Sequence, residues 1–284
     1  MDIKMIGVLG AGSMGNGIAQ VAAQAGYQVV MRDIEDHFVE NGLKAIEKFL
    51  AKSVEKGKMT EGQKKDVLGR IRGTTRMEDL MDVDFVIEAV FEDLELKKNV
   101  FKKMDELTRS DVILTTNTSS MSVTEIAMAT KRPERVAGMH FFNPAPLMKL
   151  VEVIRGYHTN DETTHIVMEM AKKMGKEPVE VKKDSPGFIV NRLMIPHMLE
   201  AIKMAEEGVA TIEDIDKAVK LGLNYPMGPF ELMDLTGIDI ALHVTEYLYK
   251  ELSKENKWSA PTLLRSMIRA GKLGRKTGGG WYKY

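Results

Sequence analysis

The spacing of apolar residues changes once along this chain of 284 residues. Through roughly its first three-fifths, short β-rich runs alternate with stretches of helical period, the pattern of a parallel sheet covered by helices. Strands are expected at Met5–Leu9, Gln28–Met31, Phe85–Glu88, Val112–Thr116, Val136–Met139, Leu150–Ile154 and Val179–Lys182. Helices between them are expected to begin near Asn16, Val39, Leu94, Val123 and Thr163, the fourth behind a Ser122-Val-Thr-Glu125 capping box.

Beyond Asp184-Ser-Pro-Gly187 the period stays helical. A long helix is expected over Phe188–Glu207, kinked at Pro196. Further helices are expected over Thr211–Gly222, Pro229–Leu235, Ile238–Leu252 and Pro261–Ala270. The fold class is therefore α/β, a Rossmann-type doubly wound sheet followed by a smaller all-α domain. The boundary falls near Ser185, giving domains of residues 1–184 and 185–284.

Composition narrows the chemistry. A formal net charge of −1 offers no overall basic field for nucleic acid. The absence of cysteine excludes disulfides, thiolate nucleophiles and Cys-ligated metals, and no metal is expected. The start MDIKMIGVLGAG lacks a signal-peptide pattern, and no charge-free apolar run is long enough to span a bilayer. A cytoplasmic location is the resulting default.

The first expected strand runs directly into Gly10-Ala-Gly12-Ser-Met-Gly15, and a helix follows. In a dinucleotide site the first glycine makes the tight turn, the second admits backbone N–H groups to a pyrophosphate, and the third lets helix and strand pack closely. Asp33 stands 18 positions beyond Gly15, at the end of the second strand. A carboxylate there accepts from ribose hydroxyls and repels a 2′-phosphate, which selects NAD. The adjacent Arg32 leaves room for minor use of NADP. A second constellation is Gly138-Met-His140-Phe-Phe-Asn143-Pro144, followed by Lys149-Leu-Val-Glu152. Alcohol oxidation without a metal needs a base for the hydroxyl proton, and histidine titrates near neutrality. Two successive strands could set Glu152 beside His140 to orient the ring. His37, His158, His165, His197 and His243 read as structural hydrogen bonders.

Taken together, GAGSMG, EAVFED, NTSS, HFFNPAP-MKLVEVI, SPGFIVNR and GRKTGGGWY resemble the 3-hydroxyacyl-CoA dehydrogenases over essentially the whole chain, and most of all their short bacterial members. The resemblance implies a Rossmann-type domain, a helical domain used for homodimerisation, and NAD-linked redox chemistry at C3 of a short acyl-CoA such as 3-hydroxybutyryl-CoA or acetoacetyl-CoA. It places such chemistry in fatty-acid or butanoate metabolism. By motif, His140 is the catalytic base, Glu152 its partner, Ser119 a contact to substrate near the nicotinamide, and Asn191 an active-site amide. Glu92, Lys97 and Asn143 become cofactor contacts. The resemblance also implies a helical hairpin around Lys52 and Lys56, 4 positions apart, that contacts the CoA phosphates. Dimerisation fits the apolar positions Ile238, Leu242, Val244 and Leu248 with Tyr247 and Tyr249.

Each of these residues has a plainer role open to it. Ser119 could belong to a turn, Asn191 could satisfy helix-start backbone, Glu92 and Lys97 could be a solvated pair, and Lys52 and Lys56 a solvated face. Two other classes share the fold. One is a Rossmann-type β-hydroxyacid dehydrogenase with a catalytic lysine, which leaves HFFNP and Glu152 unexplained. The other is a non-catalytic NAD-binding relative.

Overall fold

In a computed structural model, which describes residues 2–284, the chain divides into two compact units, the first ending at Ser185 and the second running from Pro186 to Tyr284.

The first unit is built on one sheet of eight strands: β1 (Met5–Leu9), β2 (Gln28–Arg32), β3 (Ile71–Thr74), β4 (Phe85–Glu88), β5 (Ile113–Thr116), β6 (Val136–Phe141), β7 (Leu150–Arg155) and β8 (Glu177–Val181). Their spatial order is β3-β2-β1-β4-β5-β6-β7-β8, parallel at every pairing except β6 with β7. The first six form the 3-2-1-4-5-6 order of a doubly wound dinucleotide fold. Helices α1 (Ser13–Gln24), α2 (Asp36–Glu55), α3 (Glu61–Gly69), α4 (Leu94–Leu107), α5 (Val123–Ala127) and α6 (Asp161–Lys173) complete this unit. Two apolar cores form. One gathers Ile6, Val8, Ile18, Ala22 and Ile113, and the other Leu9, Val86, Phe101, Met104 and Leu114. The alternation of neighbouring β1 residues between them is the period-two signature of a strand buried on both faces.

Several expectations need correction. Edge strand β3 escaped notice because Ile-Arg-Gly-Thr carries a single large apolar residue. Helix α3 escaped because EGQKKDVLG lacks an apolar stripe, yet Thr60 and Gln63 form a full capping box at its start. The box expected at Ser122 is only half made. Ser122 Oγ accepts from Glu125 N at 3.1 Å, while the Glu125 carboxylate pairs with Lys98 at 3.2 Å. Strand β6 runs two residues past Met139, which takes His140 into the sheet. Strand β8 begins and ends earlier than expected, and Val112 is buried just outside β5. Helices α1, α2 and α6 each start two or three residues earlier than expected.

The second unit holds α7 (Val190–Glu206), α8 (Ile212–Gly222), α9 (Pro229–Thr236), α10 (Ile238–Glu251) and α11 (Thr262–Arg269). Helix α7 cannot begin at Phe188, because Gly187 and Phe188 have φ of 73° and 49°, outside the right-handed helical region. Its buried face is Ile195, Met198, Leu199 and Ile202, which joins Phe230, Met233, Ile238, Val244, Leu248 and Trp258 in one core. Ile238, Val244 and Leu248 thus serve this unit's interior and are not a docking face. Large apolar side chains left exposed in this unit include Leu193, Val209, Leu221, Leu223, Tyr225, Leu235 and Ile240.

Two buried aspartates tie down the glycine-rich tail. Asp234 accepts from Trp281 N and Tyr282 N, both at 2.9 Å. Asp216 accepts from Phe230 N, Glu231 N and the Tyr282 hydroxyl at 2.9, 3.0 and 2.7 Å. Burial raises the Asp216 carboxyl above its ordinary value despite these donors. Each donor left unsatisfied in such a place would cost about 1–3 kcal/mol, which explains why so polar a tail is ordered.

Candidate active site

Strand β1 delivers the chain into the glycine-rich loop at the carboxyl edge of the sheet. Gly10 has φ 103°, and its N–H donates to Arg32 O at 2.7 Å. A Cβ at Gly15 would stand 1.9 Å from Gly10 O, so helix and loop meet only because none is there. Gly12 opens α1 with no side-chain cap and no acid in the first turn, and a Cβ built on it would meet only open space. An uncapped helix start with open space over it suits an anion, since both its N–H groups and the helix dipole favour negative charge there. Asp33 braces this loop. Its Oδ2 accepts from Ala11 N and its Oδ1 from Ile34 N, both at 2.7 Å. Each carboxylate oxygen retains a further lone pair for a ribose hydroxyl. Loop, helix start and Asp33 fit a dinucleotide.

Beside the loop, β4 ends in Glu88, which is fully buried. It accepts from Thr116 Oγ1 at 2.6 Å, from Val90 N at 2.7 Å and from Lys97 Nζ at 2.7 Å. Lys97, only 1% exposed, also pairs with Glu92 at 3.2 Å. Glu92 in turn accepts from Thr118 Oγ1 at 2.5 Å, Ser119 N at 2.8 Å and Ser119 Oγ at 3.3 Å. One buried ammonium therefore joins the end of β4 to the turn that presents Ser119. Burial opposes the charge on Glu92, but Lys97, Thr118 and Ser119 together hold its carboxyl below the ordinary range. Burial likewise works against the Lys97 ammonium, and Glu88 and Glu92 outweigh it, raising the amine above its ordinary value. The pair is not a solvated helix face.

Glu88, Thr116 and Thr118 went unassigned in the sequence, although a signal existed. Lys97, Val100, Phe101 and Met104 share the buried face of α4. A lysine on an apolar face requires a buried carboxylate, and the preceding strand ends in one.

His140 and Glu152 are directly opposed across the antiparallel pair β6–β7. His140 Nδ1 lies 2.8 Å from Glu152 Oε2, and both side chains are buried. A carboxylate there accepts a hydrogen bond from Nδ1–H, which fixes the proton on Nδ1 and leaves Nε2 as the basic nitrogen of the neutral ring. Asn117 Oδ1 accepts from Phe141 N at 2.8 Å and ties the turn after β5 to this strand. Asn143 lies just past β6, where its Oδ1 accepts from Ser13 Oγ at 3.4 Å, so it stands at the glycine-rich loop.

The first unit thus brings Gly10, Gly12, Gly15, Asp33 and Asn143 together, and pairs Glu92 with Lys97 and Ser119, and His140 with Glu152. Asn191 is half-buried in the first turn of α7, in the second unit. Lys52, in the last turn of α2, and Lys56, which caps it, are both exposed on the hairpin of α2 and α3. Among the described residues no group of three His, Asp or Glu side chains is arranged to hold a metal ion, and no helix is long and apolar enough to cross a membrane.

Strand order, glycine-rich loop and paired acid define the first unit as a Rossmann-type NAD-binding domain. Comparison with known proteins extends this to the whole chain. Residues 5–185 match the family model described as 3-hydroxyacyl-CoA dehydrogenase, NAD binding domain, and residues 187–284 match the C-terminal domain of the same family. A probable 3-hydroxybutyryl-CoA dehydrogenase of Deinococcus radiodurans is 49% identical over 278 residues, covering 98% of this chain and 99% of the relative. The 3-hydroxybutyryl-CoA dehydrogenase of Clostridioides difficile is 48% identical over 279 residues, with 98% and 99% covered. A crystal structure of (S)-3-hydroxybutyryl-CoA dehydrogenase from Ralstonia eutropha superposes with a TM-score of 0.95 at 46% identity, covering 100% of this chain and 99% of that one. The chain belongs to the 3-hydroxyacyl-CoA dehydrogenase family and is an NAD-dependent oxidoreductase. Of the three classes open on sequence, this selects the first.

The buried charges make a testable contribution to stability. Glu92 is depressed below its ordinary value of 4.5. Its stabilisation is therefore full above that value and is lost as pH falls through the lower folded-state value. Urea unfolding of Glu92→Gln should show a flatter acid limb below pH ~4.5 than the unaltered protein. Lys97→Met, which strands Glu88 and Glu92, should cost about 3–5 kcal/mol at neutral pH.

Proposed function

We propose that this protein interconverts a short 3-hydroxyacyl-CoA, 3-hydroxybutyryl-CoA in the first place, and the matching 3-oxoacyl-CoA, with His140 as the acid–base group. The observation that carries the reading is the 2.8 Å contact between His140 Nδ1 and Glu152 Oε2, in a chain whose relatives of nearly half-identical sequence are named 3-hydroxybutyryl-CoA dehydrogenases.

The Gly10, Gly12 and Gly15 loop and the start of α1 hold the pyrophosphate, and Asp33 the adenosine ribose. Glu92, Lys97 and Asn143 would contact the cofactor, and Ser119 would stand near its nicotinamide. Bound NAD supplies the acceptor for the hydride that leaves C3. In oxidation His140 Nε2 takes the C3 hydroxyl proton as the C–H pair departs, and the carbonyl forms. Glu152 keeps the Nδ1 proton in place and stabilises the imidazolium. In reduction protonated His140 returns that proton to the ketone oxygen. Ser119 and Asn191 hold the substrate oxygens, which converts a bound pair into a reactive one. Lys52 and Lys56 take the CoA phosphates. The exposed Leu221, Leu223, Tyr225, Leu235 and Ile240 are the apolar surface through which two copies pair.

His140→Gln should lose turnover by about 10²–10⁴-fold while still binding NADH, and Glu152→Gln should lose as much or less. Because oxidation uses the neutral ring and reduction the protonated one, oxidation should speed up and reduction slow down as pH rises. Near-normal turnover of His140→Gln, or pH limbs of the same sign in both directions, overturns the mechanism.

Replacing Lys52 and Lys56 together by Ala should raise KM for acetoacetyl-CoA far more than for a substrate cut back to pantetheine, and less so at high salt. Equal changes for both substrates remove the assignment. Light scattering at micromolar concentration should return the mass of a dimer, and a monomer contradicts the pairing.

A further inference from the structure

Lys176 directly precedes β8 and is 7% exposed. Its Nζ donates to Ala145 O at 2.5 Å and to Met148 O at 2.8 Å. Burial pushes the amine below the usual lysine value, and among the described residues no carboxylate pairs with it. A buried cation held by two carbonyls is an expensive way to close a turn that apolar packing could close. Both acceptors belong to one turn, Asn143–Met148, in which Leu147 N and Met148 N donate to Pro144 O at 3.0 and 3.1 Å. The far side of that turn rests on α1. A Cβ at Gly17 would come within 3.2 Å of Ala145 Cβ and 3.1 Å of Pro146 Cδ, and Ser13 Oγ reaches Asn143 Oδ1 at 3.4 Å. The turn is gripped between a buried ammonium and the helix that follows the glycine-rich loop.

We propose that Lys176 is a positioning residue for the cofactor: its ammonium holds the Asn143–Met148 turn against α1 and so sets where the Asn143 amide stands over the glycine-rich loop. The inference rests on the reading above that Asn143 contacts NAD. A side chain without the ammonium leaves the turn held from one side, and Asn143 then samples positions that bind the cofactor poorly. The His140–Glu152 pair has its own hydrogen bond across β6–β7, so proton transfer is not the step that suffers.

The test compares four full-length proteins: the unaltered chain, Lys176→Met, Asn143→Ala and the double variant. NADH dissociation is read from the fluorescence of the bound nicotinamide, alongside KM and kcat in acetoacetyl-CoA reduction. Lys176→Met should raise Kd and KM for NADH by about 10-fold while kcat at saturating NADH and KM for acetoacetyl-CoA move less than about 3-fold. The double variant should bind NADH within about 2-fold of Asn143→Ala alone, because coupled residues do not add. Lys176→Gln, which keeps two N–H donors, should fall between the unaltered protein and Lys176→Met, and it carries the same test if Lys176→Met does not fold. Losses that multiply in the double variant, or a fall in kcat matched by a rise in KM for acetoacetyl-CoA, overturn the inference. If Asn143→Ala weakens NADH binding and neither Lys176 variant does, the inference fails and the role of Asn143 stands. If Asn143→Ala leaves NADH binding unchanged, both fall.

Discussion

The placement of His140 against Glu152 depends on one reversal of chain direction. Six strands of the sheet run parallel, and β7 then returns antiparallel beside β6. Residues directly opposed in an antiparallel pair share a face, with Cβ atoms about 4.5–5.5 Å apart. A slip of one residue would turn Glu152 to the other face of the sheet. The register is held by what surrounds it. Val151 and Val153 are buried on the face opposite Glu152, and a Cβ at Gly138 would meet Ile154 at 2.8 Å. Apolar packing on both sides of the sheet fixes the geometry of a polar pair that contributes little packing of its own.

The same carboxyl edge concentrates charge out of water. Glu88, Glu92 and Lys97 form one hydrogen-bonded group between β4, α4 and the Ser119 turn. Desolvating such groups is costly, and it is tolerable only because every partner is present. That cost gives rigidity where a small molecule must be aimed, since a side chain locked by several hydrogen bonds has few alternative positions. The buried aspartates of the second unit work similarly on a structural problem, giving a glycine-rich tail fixed acceptors in place of an apolar face of its own.

Much of this was legible along the chain. The strands of the first unit were visible because a sheet buried on both faces demands nearly continuous apolar runs, and β1, β4 and β7 stand close to where the pattern put them. The polar edge elements were hidden. Strand β3 takes its place through pairing with β2, and α3 through its caps and its packing on α2, neither of which leaves an apolar period. The charged network was half visible, with Glu92 and Lys97 noticed as residues and their burial missed. The apolar residues of α10 were equally conspicuous and equally ambiguous, because an amphipathic face reads the same whether it packs on its own core or on another copy.

Local rules suffice wherever the physics is local. Period, glycine spacing and the acid after the second strand point to the α/β class and the dinucleotide loop without any coordinates, and motif resemblance brings forward His140 and Glu152 as candidates. Distances between residues remote in sequence obey no such rule. The meeting of His140 with Glu152, the path from Glu88 through Lys97 to Ser119, and the seating of the Lys176 turn on α1 all follow from strand order and register. Those are set by the collective burial of the whole sheet, a quantity that no single window of sequence contains.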